Sequence, residues 1–119
     1  MSLEEERDLA RLLDALDPQL HVERYRFSVA TDSTLKEGQF AIVREDEGLT
    51  AIGTDPDGDW ARISLGVHSS LDAVGLTAAL SARLTAYGIA ANIVAGRYHD
   101  HLFVPWDRRK EALDCLRSN

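Results

Sequence analysis

The chain has 119 residues, of which 45% are hydrophobic and 28% charged, and a net charge of −7. That is an ordinary globular composition, and a chain of this length buries about two-thirds of its unfolded surface without staples. The acidic balance argues against nucleic acid as a partner. No apolar run reaches the ~18 residues of a membrane span, and Cys115, the single cysteine, excludes an intrachain disulfide.

The charge is uneven. Residues 1–59 hold 15 acids and 6 bases, whereas residues 60–119 hold 5 acids and 7 bases. Ser2-Leu3-Glu4-Glu5 has the form of a capping box, and a start this acidic lacks the basic and apolar regions of a secretory signal. With one free thiol, this makes the cytoplasm the expected location. Leu9, Leu12, Leu13 and Leu16 recur at helical spacing until Asp17-Pro18 stops the helix. Arg24 to Ala30 alternates as a strand with Tyr25, Phe27 and Val29 on one face, and Thr31 to Gly38 reads as a polar loop. Gln39–Arg44 and Leu49–Gly53 read as strands joined by Glu45-Asp46-Glu47-Gly48. Asp55-Pro56-Asp57-Gly58-Asp59 is the strongest turn signal. It marks the expected boundary between an N-terminal half, 1–58, and a C-terminal half, 59–119.

In the second half, Trp60 to Val67 alternates cleanly, with Ala61, Ile63, Leu65 and Val67 on the apolar side. A long helix is expected from Leu71 to Tyr87, introduced by His68-Ser69-Ser70 and ended by Gly88. Leu76, Leu80 and Leu84 form its bulky stripe; Val74, Gly75, Ala78, Ala79, Ala82 and Ala86 form a small-residue face. Strands follow at Ile89–Ala95 and His101–Val104, then a last helix with Asp107 as its N-cap. The order β-α-β-β-α lacks the closing strand of a β-α-β-β-α-β unit. The first half has strands available to supply it, and so does a second copy of the chain.

Two clusters stand out chemically. His68-Ser69-Ser70-Leu71-Asp72 sits where a strand hands over to a helix, a place whose free amides and dipole suit a carboxylate. Gly75, one turn further, allows close approach of a ligand or of neighbouring backbone. The bland alternative is that the serines only cap the helix. His99-Asp100-His101 places two imidazoles on one side of an extended segment, with His68 as a third possible metal ligand. No H-E-x-x-H motif or cysteine pair supports a metal, so polar residues lining a cleft are the better reading. His21 reads as an isolated surface residue. No triad, phosphate loop or dinucleotide fingerprint is present, and neither an enzyme nor a cofactor is expected.

The segments Val67-His68-Ser69-Ser70-Leu71-Asp72-Ala73-Val74-Gly75-Leu76-Thr77-Ala78-Ala79, Asn92-Ile93-Val94-Ala95-Gly96 and Tyr98-His99-Asp100-His101-Leu102-Phe103-Val104-Pro105 resemble a family of small proteins built from tandem ACT-like halves. Arg44-Glu45-Asp46-Glu47-Gly48-Leu49-Thr50 in the first half also resembles it, and the rest of that half does so loosely. The resemblance implies an α+β, ferredoxin-like fold with an antiparallel sheet and helices on one face. It also implies a regulatory, non-catalytic module that binds an amino acid or similar small molecule and acts as a homodimer. ACT ligands commonly meet the loop after the first strand and the start of the next helix. On this chain that implies His68, Ser69, Ser70, Leu71, Val74 and Gly75, with Asn92 and Val94 as an opposing wall. His99 and His101 join the expected ligand site as cleft-lining residues. The competing classes are a ligand-free assembly module and a metal-dependent activity at His68, His99 and His101.

Overall fold

A computed structural model describes residues 6–117; the capping box at Ser2–Glu5 lies outside the described residues. Three helices and six strands run in the order α1 (Leu9–Asp14), β1 (Pro18–Ala30), β2 (Ala41–Glu45), β3 (Gly48–Thr54), β4 (Trp60–Leu65), α2 (Leu76–Thr85), β5 (Asn92–Ala95), β6 (Asp100–Pro105) and α3 (Arg109–Arg117). The strands form one six-stranded sheet in the order β2-β3-β1-β4-β6-β5. Every pairing is antiparallel.

The closing strand comes from within the chain. β1 lies against β4, where the last strand of the second unit belongs, and β4 lies against β1 in the same relation to the first. Each half thus lends its opening strand to the other. In the second half α2 follows β4 and α3 follows β6. In the first half the loop 31–40 and the turn 55–59 stand in those places, so the helices gather over one end of one sheet face.

The sequence periods explain the layers. Ala61, Ile63 and Leu65 of β4 and Leu102 and Val104 of β6 are buried under Leu12, Leu16, Leu76, Leu80, Leu84, Ala112 and Leu116. The leucine stripe of α2 faces this core, whereas Ala78, Ala82 and Ala86 of its small-residue face are exposed. On the other face the sheet curls until Phe40, beside β2, meets His101 of β6 at 4.9 Å between ring centroids. Tyr25, Ile52 and Phe103 are buried in this concavity, with Phe27, Phe40, Trp60 and Val94 packed around them.

Several elements depart from the periodicity. β1 begins at Pro18 rather than near Arg24, because the β1–β4 register shifts between Leu20 and Arg24 and the irregularity interrupts the alternation. Val29, at the tip of β1, is 91% exposed although it continues the Tyr25–Phe27 phase. α1 is capped by Asp8, whose carboxylate accepts from the Arg11 amide. α2 starts five residues later than its pattern suggests. Gly75 is its N-cap with φ of 96°, a left-handed conformation that only glycine adopts freely, and residues 71–75 remain outside the helix. Asp107 is not the cap of α3; it sits inside a 3-10 turn, Trp106–Arg108, that precedes the helix.

Candidate functional site

The junction between β4 and α2 holds a cleft of about 160 Å³ lined by Ser69, Ser70, Leu71, Ala73, Leu76, Thr77, Ala95 and Asp100. Ala95 of β5 and Asp100 of β6 form its floor, and Leu76 and Thr77 of α2 one wall. Asp100 lies in phase with buried Leu102 and Val104, so its carboxylate is directed to the helix side of the sheet and is buried. The Ser69 hydroxyl donates to it at 3.0 Å. Ser69 is not a helix cap, because α2 begins only after Gly75. α2 starts without any side-chain cap, and the leading N–H groups of a helix have no intrahelical acceptor. The cleft therefore sets a buried carboxylate against a helix amino end. That combination suits a ligand carrying both an ammonium and a carboxylate.

Part of the expected anion surface is covered by the chain itself. The Ser70 amide donates to the Glu6 carbonyl at 2.9 Å, and the Glu6 amide donates to the His68 carbonyl at 3.1 Å. Glu6 and Ser69 form a parallel bridge. The Ser70 hydroxyl bonds the Asp72 carboxylate, to which Arg7 Nε also donates at 3.0 Å. These contacts, with Ser70 first among them, hold Asp72 below the usual carboxylate range. The Ser70 amide is thus already engaged within the chain, whereas the first turn of α2 has no side-chain cap.

The other expected site residues fall in different places. Leu71 lines the cleft while 64% exposed, and Val74 is 83% exposed. A Cβ on Gly75 would stand 3.3 Å from Leu9 Cδ2, so the close neighbour there is α1. His68 is half-buried with Nε2 3.3 Å from the Arg97 carbonyl; its Nδ1 is buried without a partner. Asn92 is exposed on β5, and Val94 packs into the concave face on the far side of the sheet. β5 contributes Ala95 to the cleft instead. His99 is exposed on the turn. His101 alternates with Asp100 and so enters the concave face. Among the described residues no three histidine, cysteine, aspartate or glutamate side chains converge as metal ligands, so His68, His99 and His101 do not form the metal group considered above.

Asp100 is the residue that pattern reading left out, just before the strand expected at His101–Val104. The signal was available: an acid in the phase of two buried aliphatic residues on a strand demands a partner. Three larger clefts lie in the first half: two, of about 290 Å³ and about 410 Å³, around Thr34, and one of about 230 Å³ between Arg24 and Asp55. None opens on an uncapped helix end, so the smallest cleft is the better candidate on chemical grounds.

A polar string occupies the concave face. The Ser64 hydroxyl lies 2.7 Å from both His101 Nδ1 and His21 Nε2. Arg62 Nη1 donates to the Tyr25 hydroxyl at 2.9 Å, and Nη2 approaches His101 Nδ1 at 3.5 Å. The Arg62 guanidinium stands 4.1 Å from the Phe40 ring centroid. Burial first, then Arg62, pushes His101 down to about 4 and lowers His21 as well. His21 is therefore not an isolated surface residue.

Two models of the ACT domain match the chain, one over residues 4–66 and one over 56–118. A crystal structure of a protein of unknown function from Vibrio cholerae, described as a possible transport protein, is 37% identical, with a TM-score of 0.76, covering 90% of this chain and 92% of that one. A crystal structure from Agrobacterium tumefaciens is 20% identical with a TM-score of 0.66, covering 85% and 86%, and shares the fold. No curated protein matches. Among the described residues no helix is long and apolar enough to cross a membrane. With a model of the same domain on each half and one continuous sheet between them, the chain belongs to the ACT domain family.

Proposed function

We propose that the chain is a regulatory, non-catalytic module that binds an amino acid in the cleft between β4 and α2, and that it acts as a homodimer in the cytoplasm. The observation that carries this reading is the opposition of Asp100 to the uncapped start of α2 across a cleft of about 160 Å³. The ligand ammonium pairs with the Asp100 carboxylate, and the ligand carboxylate meets the first-turn amides of α2. Leu71 and Leu76 offer apolar contact to a short side chain. Ser69 orients Asp100 through its hydroxyl. Membership in the ACT family supports the regulatory role, and the free buried thiol of Cys115 suits a reducing compartment. We place the division between the two halves at 58/59, in the turn that joins β3 to β4.

The test is thermal unfolding against the set of natural amino acids at millimolar concentration. A ligand that binds only the folded state raises Tm as its concentration passes Kd. At least one amino acid should do so in the wild type, and Asp100→Asn should lose the response. A flat response to every member, with the protein folded, overturns the reading and leaves the assembly module.

A further inference from the structure

The concave face carries a cation that no carboxylate answers. Arg62 forms no ion pair among the described residues, and its Nε is buried without any partner. Its contacts are a phenol hydroxyl, an imidazole nitrogen and a phenyl face. In a chain with a net charge of −7, an unanswered guanidinium inside a concavity is a place prepared for an anion.

The neighbouring hydrogen bonds fix what else is there. Arginine only donates, so His101 Nδ1 facing Arg62 Nη2 is an acceptor and the ring proton resides on Nε2. The single Ser64 proton then goes to His101 Nδ1, and Ser64 accepts from His21 Nε2–H. Both imidazoles are neutral, and the His101 Nδ1 lone pair is engaged by Ser64 and Arg62. A proton on Nδ1 would set an imidazolium 3.5 Å from the Arg62 guanidinium, a repulsion that an anion paired with Arg62 offsets. Anion and proton therefore favour each other's binding.

We propose that this face is a carboxylate-binding site, in which Arg62 and a protonated His101 hold one carboxylate group together while Ser64 and His21 adjust their hydrogen bonds to the incoming proton. The proton comes from solvent, no covalent bond changes, and the ligand class is a small molecule bearing a single carboxylate. A planar guanidinium matches that group in shape. The charged and titratable groups around the site are His21, Glu23 and Tyr25 from β1, Arg62 from β4, and His99 and His101 at the β5–β6 turn and on β6. Glu23 acts on His21 and forms no ion pair with Arg62.

The experiment is an NMR pH titration of the His101 imidazole in tens of millimolar trifluoroacetate, a carboxylate that stays ionised throughout the titration, against chloride at the same ionic strength. Trifluoroacetate should raise the His101 midpoint by ~1 pH unit, and Arg62→Gln, which keeps a hydrogen-bonding side chain without the charge, should abolish the rise. Equal midpoints in trifluoroacetate and chloride overturn the proposal using the wild type alone, so the result does not depend on the variant folding. An equal rise in Arg62→Gln also overturns it, because trifluoroacetate then acts elsewhere. The amino-acid response at the β4–α2 cleft lies on the other side of the sheet and should persist in Arg62→Gln, so the two readings fail separately.

Discussion

Ser64 Oγ stands 2.7 Å from His101 Nδ1, a contact across the β4–β6 register in which these two residues are direct partners. Burial first, and then the Arg62 guanidinium, hold this imidazole in its neutral form, in which Nδ1 accepts from the serine.

A pH dependence follows. His101 sits near 4 in the folded chain, below its ordinary 6.5, and His21 is lowered too. Between those values the unfolded chain binds protons that the folded chain refuses, so stability falls as pH drops from 6.5 toward 4 and is fully present above 6.5. Urea unfolding at pH 7, 6, 5 and 4.5 should show the decline, and His101→Gln should flatten it. An unchanged slope in that variant removes His101 as the cause.

Phe103 has no exposed surface and meets Tyr25, Phe27 and Phe40 at ring-centroid distances of 5.4, 5.3 and 5.7 Å. Truncation to alanine removes these contacts and leaves a void that the curled sheet closes poorly. Phe103→Ala should cost about 3–5 kcal/mol in urea-derived stability. Phe103→Leu should recover more than half of that loss.

Gly75 and Gly88 separate backbone strain from crowding. Both are left-handed, with φ of 96° and 68°. A Cβ at 88 meets nothing within 4 Å, whereas one at 75 meets Leu9 Cδ2 at 3.3 Å. Gly88→Ala should cost about 1–2 kcal/mol from conformation alone, and Gly88→Asn less. Gly75→Ala should cost more than Gly88→Ala, with the excess relieved by Leu9→Ala in a double-mutant cycle.

Ser69→Ala probes the cleft without removing charge. It takes from Asp100 the one hydroxyl that donates to it. A buried carboxylate that loses a donor costs about 1–3 kcal/mol, so Tm should fall. Under the proposed function the rise in Tm caused by the bound amino acid should shrink in Ser69→Ala and vanish in Asp100→Asn. A full response in Asp100→Asn places the ligand elsewhere.

Much of the second half was legible because its residues follow a single period. Ala61, Ile63 and Leu65 alternate without interruption, and Leu76, Leu80 and Leu84 keep one helical stripe; both patterns mark faces that are buried. Element order showed an incomplete β-α-β-β-α-β unit, and the resemblance carried by the quoted segments implied the ACT-like architecture. The start of α2 was not. Leu71 and Val74 continue the apolar look of the helix, yet the Ser70–Asp72 bond and the left-handed Gly75 keep the segment outside it. Local side-chain bonding there outweighed propensity.

The concave string was illegible for a different reason. His21 reaches Ser64 only through the irregular β1–β4 register, and pairing between strands some forty residues apart leaves no periodic trace. Asp100 was half-visible: its phase with Leu102 and Val104 was on the page, but two flanking histidines drew attention to the opposite face.

The exchange of β1 and β4 between the halves has a practical outcome for anyone dividing the gene. A fragment beginning at Asp59 would expose the whole hydrogen-bonding edge of Trp60–Leu65, the middle of the native sheet, to solvent. Bare edges of that kind recruit the nearest strand on offer, so such a fragment should self-associate instead of behaving as an independent domain, and co-expression with its severed complement should restore solubility.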